Sequence, residues 1–132
     1  MKVYRVAHKS ALESGFPSGP YAGKGVPDDS AQRLWGMASA HSTMTHPTPY
    51  ADPDLHHIAE HERCGFDSLD ALNAWFDGWT DALAECEFVV WTYEVPEWAL
   101  RVGRCGQVVF DSIEAVEVSS HEFMHEQTAL FA

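Results

Sequence analysis

Two segments have the side-chain patterns that predict β-strands. Residues 2–9 alternate with a period of two, so that Val3, Arg5 and Ala7 share one face of a strand and the residues between them share the other. Residues 87–95 are rich in Val, Trp and Tyr, which strands favour. Both segments are therefore expected to belong to a sheet.

Three further strands are expected toward the end of the chain. Residues 99–102 and 107–110 flank Gly103-Arg104-Cys105-Gly106, which is the pattern of a β-hairpin. Residues 113–118 alternate between apolar and acidic side chains, which predicts a half-exposed strand at the edge of a sheet. The tail from Ser119 is expected to form a short helix or to fray.

Apolar residues at spacings of three and four predict one dominant helix. It follows a capping Ser68, and its apolar side chains are Leu69, Leu72, Trp75, Phe76, Trp79 and Leu83. Gly78 is a weak point inside it, because glycine disfavours helix interiors. Two other helices are expected, over residues 31–40 after Asp28-Asp29-Ser30 and over residues 54–63 after Asp52-Pro53.

The remaining segments contain many glycines and prolines and predict loops. They cover residues 10–27, with Gly19-Pro20-Tyr21, and residues 41–53. The helices therefore lie between a first strand and a later group of strands. This order predicts an α+β fold, with one antiparallel sheet and two to three helices packed on one side. A length of 132 residues suits a single domain over residues 1–132.

The balance of charges disfavours one class of partner and favours another. Acidic side chains outnumber basic ones 20 to 8, which gives a formal net charge of −12 with histidine neutral. Surfaces that bind nucleic acids need clustered Lys and Arg, so direct nucleic-acid binding is not expected. A strongly acidic protein is suited instead to a partner with a basic surface, or to imitating a polyanion.

The sequence does not indicate a membrane or an oxidising compartment. No apolar run approaches the roughly 20 residues of a membrane helix, and the first residues predict a strand rather than a signal peptide. Cys64, Cys86 and Cys105 leave at least one thiol unpaired in any disulfide arrangement, which favours reduced cysteines. We therefore expect a cytoplasmic protein that does not bind membranes.

Two histidine motifs have the spacing of zinc sites. Residues 57–61 match H-x-x-E-H and residues 121–125 match H-E-x-x-H. Two histidines four positions apart on a helix share one face, so both rings can reach one metal while the Glu polarises a bound water. Neither motif is accompanied by an evident third ligand, so we expect no metal. The candidate ligands, should zinc bind, are His57, His61, His121 and His125.

Four short motifs occur in an order that resembles a group of phage proteins. The motifs are Tyr4-Arg5-Val6-Ala7-His8, Gly19-Pro20-Tyr21, Gly65-Phe66-Asp67-Ser68 and Gly106-Gln107-Val108-Val109-Phe110. In this order the chain resembles small proteins of tailed phages and prophages, which open with a Tyr-Arg-Val-x-His strand and a Gly-Pro-Tyr loop. The resemblance implies a phage accessory protein that works in the cytoplasm of a host cell.

The same motifs resemble the ADP-ribosyltransferases more faintly. Those enzymes place an Arg or His on an early strand to hold NAD, and a Glu or Gln at the start of a late strand to orient the acceptor. The resemblance implies that Arg5 or His8 would hold NAD, that Gln107 would orient the acceptor and that Tyr21 would be the middle residue of the set. The acidic residue expected near Gln107 is missing. An enzyme of this kind predicts a concave pocket near Arg5 and Gln107.

We predict a non-enzymatic phage protein that binds and inhibits a basic, nucleic-acid-handling host protein, as anti-CRISPR and other anti-defence proteins do. No cofactor is expected. On one ideal helix Asp70, Asp77 and Asp81 recur at seven and four, and so would form one acidic stripe facing solvent. Trp98 is the candidate apolar anchor. Two alternatives stay open: an ADP-ribosyltransferase-like enzyme using NAD, with Arg5, Tyr21 and Gln107 as its site, and a small zinc metalloprotein.

Overall fold

An antiparallel sheet forms the centre of the fold. The structure is a computed structural model that describes residues 1–21, 24–41, 52, 54–55 and 58–123. The strands of these residues are β1 (Lys2–His8), β2 (Leu12–Glu13), β3 (Phe16–Pro17), β4 (Glu62–Phe66), β5 (Phe88–Glu94), β6 (Leu100–Val102), β7 (Gln107–Asp111) and β8 (Val116–His121). Six of them form one sheet in the order β6-β7-β4-β1-β5-β8, and β2 and β3 form a separate hairpin.

The helices of the described residues contribute to an apolar core on one face of this sheet. They are α1 (Asp28–Arg33), α2 (Trp35–Ala40), α3 (Leu69–Trp75) and α4 (Thr80–Glu85). Val6 of β1 belongs to the apolar cluster that includes Leu34, Leu72 and Leu83 of the helical segments. Val3, which points to the other face of β1, belongs to a second cluster with Tyr93, Phe110 and other side chains. The predicted α+β fold is confirmed.

The neighbouring strands β1 and β4 separate after a short contact. Their register is the single pair Tyr4↔Phe66, whereas β1 pairs with β5 along its whole length, from Lys2↔Glu94 to His8↔Phe88. At the far end of β1 the backbone N–H of His8 donates to the carbonyl of Ser18 at 2.7 Å. The segment after β3 therefore borders β1 where β4 has moved away.

The dominant predicted helix begins as expected but is two helices. Ser68 caps α3, because its Oγ accepts the backbone N–H of Ala71 at 3.1 Å. The prediction of one continuous helix is wrong: the chain turns between α3 and α4 at Gly78, whose φ is +85°. The three aspartates predicted to share one helical stripe are therefore not on one helix. Asp70 lies in α3, Asp77 lies in the turn, and Asp81 lies in α4.

The helix predicted over residues 54–63 is wrong. Glu62 and Arg63 belong to β4, where they pair with Asp111 and Phe110 of β7, and residues 58–61 lead into this strand without helical structure. The pairing of its last two residues with β7 satisfies backbone groups that a helix would otherwise have paired. Residues 56–57 lie outside the described part of the chain.

Two predictions near the beginning of the chain need correction. The predicted loop over residues 10–27 contains the hairpin of β2 and β3, in which Glu13 pairs with Phe16. The helix predicted over residues 31–40 is α1 followed by α2, with an interruption at Leu34. It starts earlier than expected, and Pro27 is its N-cap, without a side-chain hydrogen bond.

The last strand lies further along the chain than predicted. The expected edge strand over residues 113–118 is β8, which occupies the edge of the sheet and is exposed along its length. Ser119 and Ser120 pair with β5, so the prediction of a helix or a frayed tail from Ser119 is wrong for residues 119–121. The predicted strands over residues 2–9 and 87–95 and the hairpin around Gly103 are confirmed. No helix in the part of the chain described here is long and apolar enough to span a membrane.

Candidate functional site

A cavity opens where β1 and β4 separate. Its volume is about 580 Å³, which lies in the usual range for small-molecule sites. It is lined by polar and aromatic side chains from β1, from β4 and from neighbouring segments of the chain. They include Arg5, Tyr21, His41, Arg63, Trp75 and Gln107.

Arg5 extends from β1 across the gap between the strands. Its Nη1 donates to the carbonyl of Cys64 in β4 at 2.8 Å, and its Nη2 donates to the carbonyl of Pro17 at 3.3 Å. A Cβ at Gly19 would come within 2.9 Å of Nη2, so glycine at this position leaves room for the guanidinium group where it lies. Burial is the main cause that lowers the pKa of Arg5, and the positive charge of Arg63 lowers it further.

Tyr21 lies in a hydrogen-bonded chain with two buried rings. The indole Nε1–H of Trp75 donates to the Tyr21 hydroxyl at 2.8 Å, and the hydroxyl is 2.7 Å from Nδ1 of His41. An indole N–H can only donate, so the hydroxyl keeps its own proton to offer to His41 when Nδ1 is unprotonated. Burial raises the pKa of Tyr21, which keeps the hydroxyl neutral.

Tyr21 and Gln107 line the cavity from two parts of the chain that are far apart in sequence. The hydroxyl of Tyr21 is buried in its network, but 48% of the residue is exposed, so the ring presents an open surface. Gln107 opens β7, is buried, and pairs in the sheet with Phe66 of β4. The concave pocket that an NAD enzyme would need near Arg5 and Gln107 is therefore present, and Tyr21 lines it too. His8, the other candidate for holding NAD, is buried; its Nδ1 accepts the backbone N–H groups of Ser10 and Ala11, at 3.1 and 2.8 Å.

Sequence reasoning missed two members of this cavity. Arg63 belongs to the predicted helix over residues 54–63, which does not form; it lies in β4 and lines the same cavity as Arg5. His41 begins the predicted irregular stretch, and its ring packs against Trp75 at a centroid distance of 5.0 Å. A strand pattern in residues 62–66 would have been the signal for Arg63, whereas no sequence signal predicts the position of His41.

The residues predicted for protein binding lie elsewhere. Asp70, Asp77 and Asp81 are exposed, and Trp98 is 75% exposed in the short turn Glu97–Ala99. None of these four side chains lines the cavity. Binding through them stays a prediction.

The two histidine motifs are only partly within the described residues. His57 and His125 lie outside them. His61 is exposed, 3.9 Å from Oδ2 of Asp111, and residues 58–61 are not helical. His121 is the last residue of strand β8. The first residue of the H-E-x-x-H motif is therefore not helical, as a zinc site of this pattern would require. Among the residues that the structure describes, no cluster of three or more His, Cys, Asp or Glu could hold a metal ion.

Comparison with known proteins gives one family. The family model described as "Bacteriophage T4 Y00F protein" matches residues 1–124. The matched region includes every residue that lines the cavity. No curated protein and no solved structure has a significant match to the chain.

Proposed function

We propose a ligand-binding function for this protein, proceeding from the fact that the chain belongs to the Bacteriophage T4 Y00F protein family. It is therefore a phage accessory protein. The proposed ligand is a dinucleotide of the NAD type, bound in the cavity between β1 and β4. The observation that carries the proposal is that Arg5, Tyr21 and Gln107, which are far apart in sequence, line one cavity.

Each of the three side chains has a chemical role to offer such a ligand. Arg5 supplies positive charge and unused N–H donors. The exposed ring of Tyr21 offers a surface on which a planar base or nicotinamide can stack, next to the aromatic side chains of Phe66, Trp75 and Phe76. The amide of Gln107 can both donate to and accept from a carboxamide.

Transfer chemistry would need an activated acceptor in addition to NAD binding. Glu62 is a carboxylate in the cavity wall, but it is paired with Arg101 at 3.0 Å and also accepts the backbone N–H of Ala59. The cavity thus supports binding of NAD more directly than cleavage of its nicotinamide–ribose bond. ADP-ribosyltransferase activity is the narrower form of the proposal.

Calorimetric titration with NAD tests the binding, and chromatographic detection of released nicotinamide tests the cleavage. We expect Gln107→Ala and Tyr21→Ala each to weaken NAD binding by about tenfold, through a lost hydrogen bond at Gln107 and a lost stacking surface at Tyr21. Arg104→Ala is the matched control, because Arg104 is exposed and does not line the cavity. The proposal is contradicted if the native protein does not bind NAD. It is also contradicted if all three variants bind NAD as tightly as the native protein does.

A second candidate function is the inhibition of a basic, nucleic-acid-handling host protein, as an anti-CRISPR or other anti-defence protein would do. It is favoured by where the charges lie. Two of the eight basic residues, Arg5 and Arg63, are buried, whereas most of the described acidic residues are exposed. The outer surface is consequently more acidic than the net charge of −12 alone indicates.

Capture of partners from a phage host lysate tests this candidate. We expect the native protein to retain a specific basic protein, identified by its mass, and to lose it after joint replacement of Asp70, Asp77 and Asp81 by Lys. Trp98→Ala separates an apolar contribution from the charge effect, since it leaves the net charge unchanged. Retention of the same partner by the charge-reversed variant and by Trp98→Ala argues against inhibition through these residues.

A further inference from the structure

Two buried arginines of the cavity wall lie against the same aromatic ring. The guanidinium carbons of Arg5 and Arg63 are 5.8 and 5.9 Å from the ring centroid of Phe16. Arg5 is 7% exposed and Arg63 is 9% exposed. The two positive charges line one cavity and affect each other, because the charge of Arg63 contributes to lowering the pKa of Arg5.

Neither arginine forms an ion pair with an acidic side chain among the described residues, although the more distant charge of Glu13 acts on Arg5. Arg5 donates to the carbonyls of Cys64 and Pro17, and Arg63 donates to the carbonyls of Glu13, Glu60 and Glu62. The Nε of each is buried without a hydrogen-bond partner in the structure.

Two more exposed arginines of the same protein do form ion pairs. Arg33 pairs with Glu85, and Arg101 pairs with Glu62 at 3.0 Å. Glu62 itself lines the cavity, yet its carboxylate is directed to Arg101 and not to either buried arginine. In a chain with 20 acidic residues, a shortage of carboxylates cannot account for two guanidinium groups that lack an ion pair among the described residues.

Burying two like charges without ion-pair partners is costly, and a bound anion lowers that cost. We propose that Arg5 and Arg63 form a subsite for a phosphate-class anion, either a phosphate or a pyrophosphate group. Guanidinium groups suit this role because their planar array of donors matches the oxygens of phosphate in pairs. The Nη donors that do not bond to backbone carbonyls can be directed to such an anion.

This inference deepens the proposed function by naming the part of the ligand that the arginines hold. The same chemistry could come from the pyrophosphate of a dinucleotide or from a free phosphate ion. The experiment therefore compares NAD with nicotinamide riboside, which lacks phosphate, and with inorganic pyrophosphate and inorganic phosphate. Binding is measured by calorimetry at fixed ionic strength.

The key variant is Arg63→Gln, which keeps a side-chain donor for the backbone carbonyls but removes the charge. We expect it to weaken the binding of NAD and pyrophosphate by about tenfold or more, the usual effect of losing hydrogen bonds to a charged group, and to leave nicotinamide riboside nearly unaffected. Arg104→Gln removes an exposed arginine outside the cavity and should change neither. An equal loss for ligands with and without phosphate overturns the subsite.

The possible failures are distinguishable. If pyrophosphate binds and NAD does not, the subsite stands and the proposed NAD function fails. If NAD binds and Arg63→Gln does not weaken it, the proposed function stands and the subsite fails. If Arg63→Gln does not fold, thermal unfolding of the native protein decides: stabilisation by pyrophosphate, but not by chloride at equal ionic strength, supports the subsite, and no difference between them overturns it.

Discussion

The hydroxyl of Tyr21 has polar neighbours on both sides even though about half of the residue is exposed. Its pKa is raised chiefly by burial, and the hydrogen bond from Trp75 acts in the opposite direction. The contribution of the protonated hydroxyl to stability is therefore complete below the unfolded pKa of about 10. It is lost as the pH rises from there through the raised folded pKa.

Tyr21→Phe should lower the free energy of unfolding by about 1–3 kcal/mol at about pH 8, because the N–H of Trp75 loses its acceptor. The difference from the native protein should shrink above about pH 10, where the unfolded tyrosine ionises. Tyr93→Phe is the comparison: burial also raises the pKa of Tyr93, but its hydroxyl has no hydrogen-bond partner among the described residues, so its removal should cost less at about pH 8. Urea denaturation at both pH values measures the effect, and a pH-independent difference for Tyr21→Phe would contradict it.

At the scale of single residues, the sequence identified Arg5, Tyr21 and Gln107 through short motifs, and these three do line one cavity. It could not identify Arg63 or His41. Arg63 matters because it lines the same cavity as Arg5, from which it is separated by 58 positions in the sequence. The pairing of β1 with β4 brings the two residues to that cavity. No local pattern contains this information.

Asp52 connects a loop segment to the turn between β6 and β7. Its Oδ2 accepts the backbone N–H of Arg104 at 2.6 Å, and its Oδ1 accepts that of Asp54 at 2.9 Å. The bond from Arg104 is the main cause that holds the pKa of Asp52 below its ordinary value. A Cβ at Gly103 would collide with the side chains of Asp52 and Leu55, so the contact depends on glycine at that position.

Asp52→Asn should destabilise the protein by about 1–2 kcal/mol at neutral pH, since hydrogen bonds to a charged acceptor are the stronger kind. A lowered folded pKa means that the carboxylate's contribution is complete above the unfolded pKa of about 3.9 and is lost as the pH falls through the folded value. The cost of the substitution should accordingly diminish toward about pH 2. Asp54→Asn, at an exposed neighbour, is the control, and an equal cost for both variants at neutral pH would be evidence against this account.

The break between α3 and α4 shows what an element-level pattern leaves open. The apolar spacing continues from Leu69 to Leu83 and marks most of the buried side. Leu72, Trp75, Phe76 and Leu83 are buried, Trp79 is partly buried, and Leu69 is 37% exposed. Two helices joined by a turn can keep the same buried side as one continuous helix. The pattern therefore predicts burial but not continuity, which depends on the backbone at Gly78.

Gly78→Ala should cost about 1–2 kcal/mol in stability, because a residue with a Cβ is disfavoured at a φ of +85°. No atom lies within 4 Å of the added Cβ, so a collision cannot explain the loss. Gly78→Asn should cost less, since asparagine tolerates the left-handed region better than alanine does. Asp77→Ala is the neighbouring control. Equal stability of Gly78→Ala and the native protein in denaturant titrations would refute the role of this φ angle.

At the scale of the whole molecule, the fold concentrates opposite charges in different places. The buried arginines lie in the cavity wall, whereas Asp70, Asp77 and Asp81 are exposed along the α3–α4 segment. The α+β class and the acidity of the surface were both predictable from the sequence, because they follow from patterns summed over many residues. The cavity was not, because it arises from the separation of two strands that are neighbours in the sheet.

If the protein inhibits a basic partner, its surface charge should act mainly on the rate of association. Attraction between oppositely charged surfaces accelerates their encounter, and salt screens it over about 10 Å at 0.1 M. We expect the association rate to fall as salt rises, and to fall further when Asp70, Asp77 and Asp81 are all replaced by Lys. The same replacements should change the free energy of unfolding little, because exposed charges contribute little to stability.

The control is Trp98→Ala, which alters an exposed apolar side chain without altering charge and should preserve the salt dependence. Stopped-flow association over a range of ionic strengths measures both effects. An association rate that responds neither to salt nor to the triple replacement would place the contact on apolar residues such as Trp98 instead of the acidic surface.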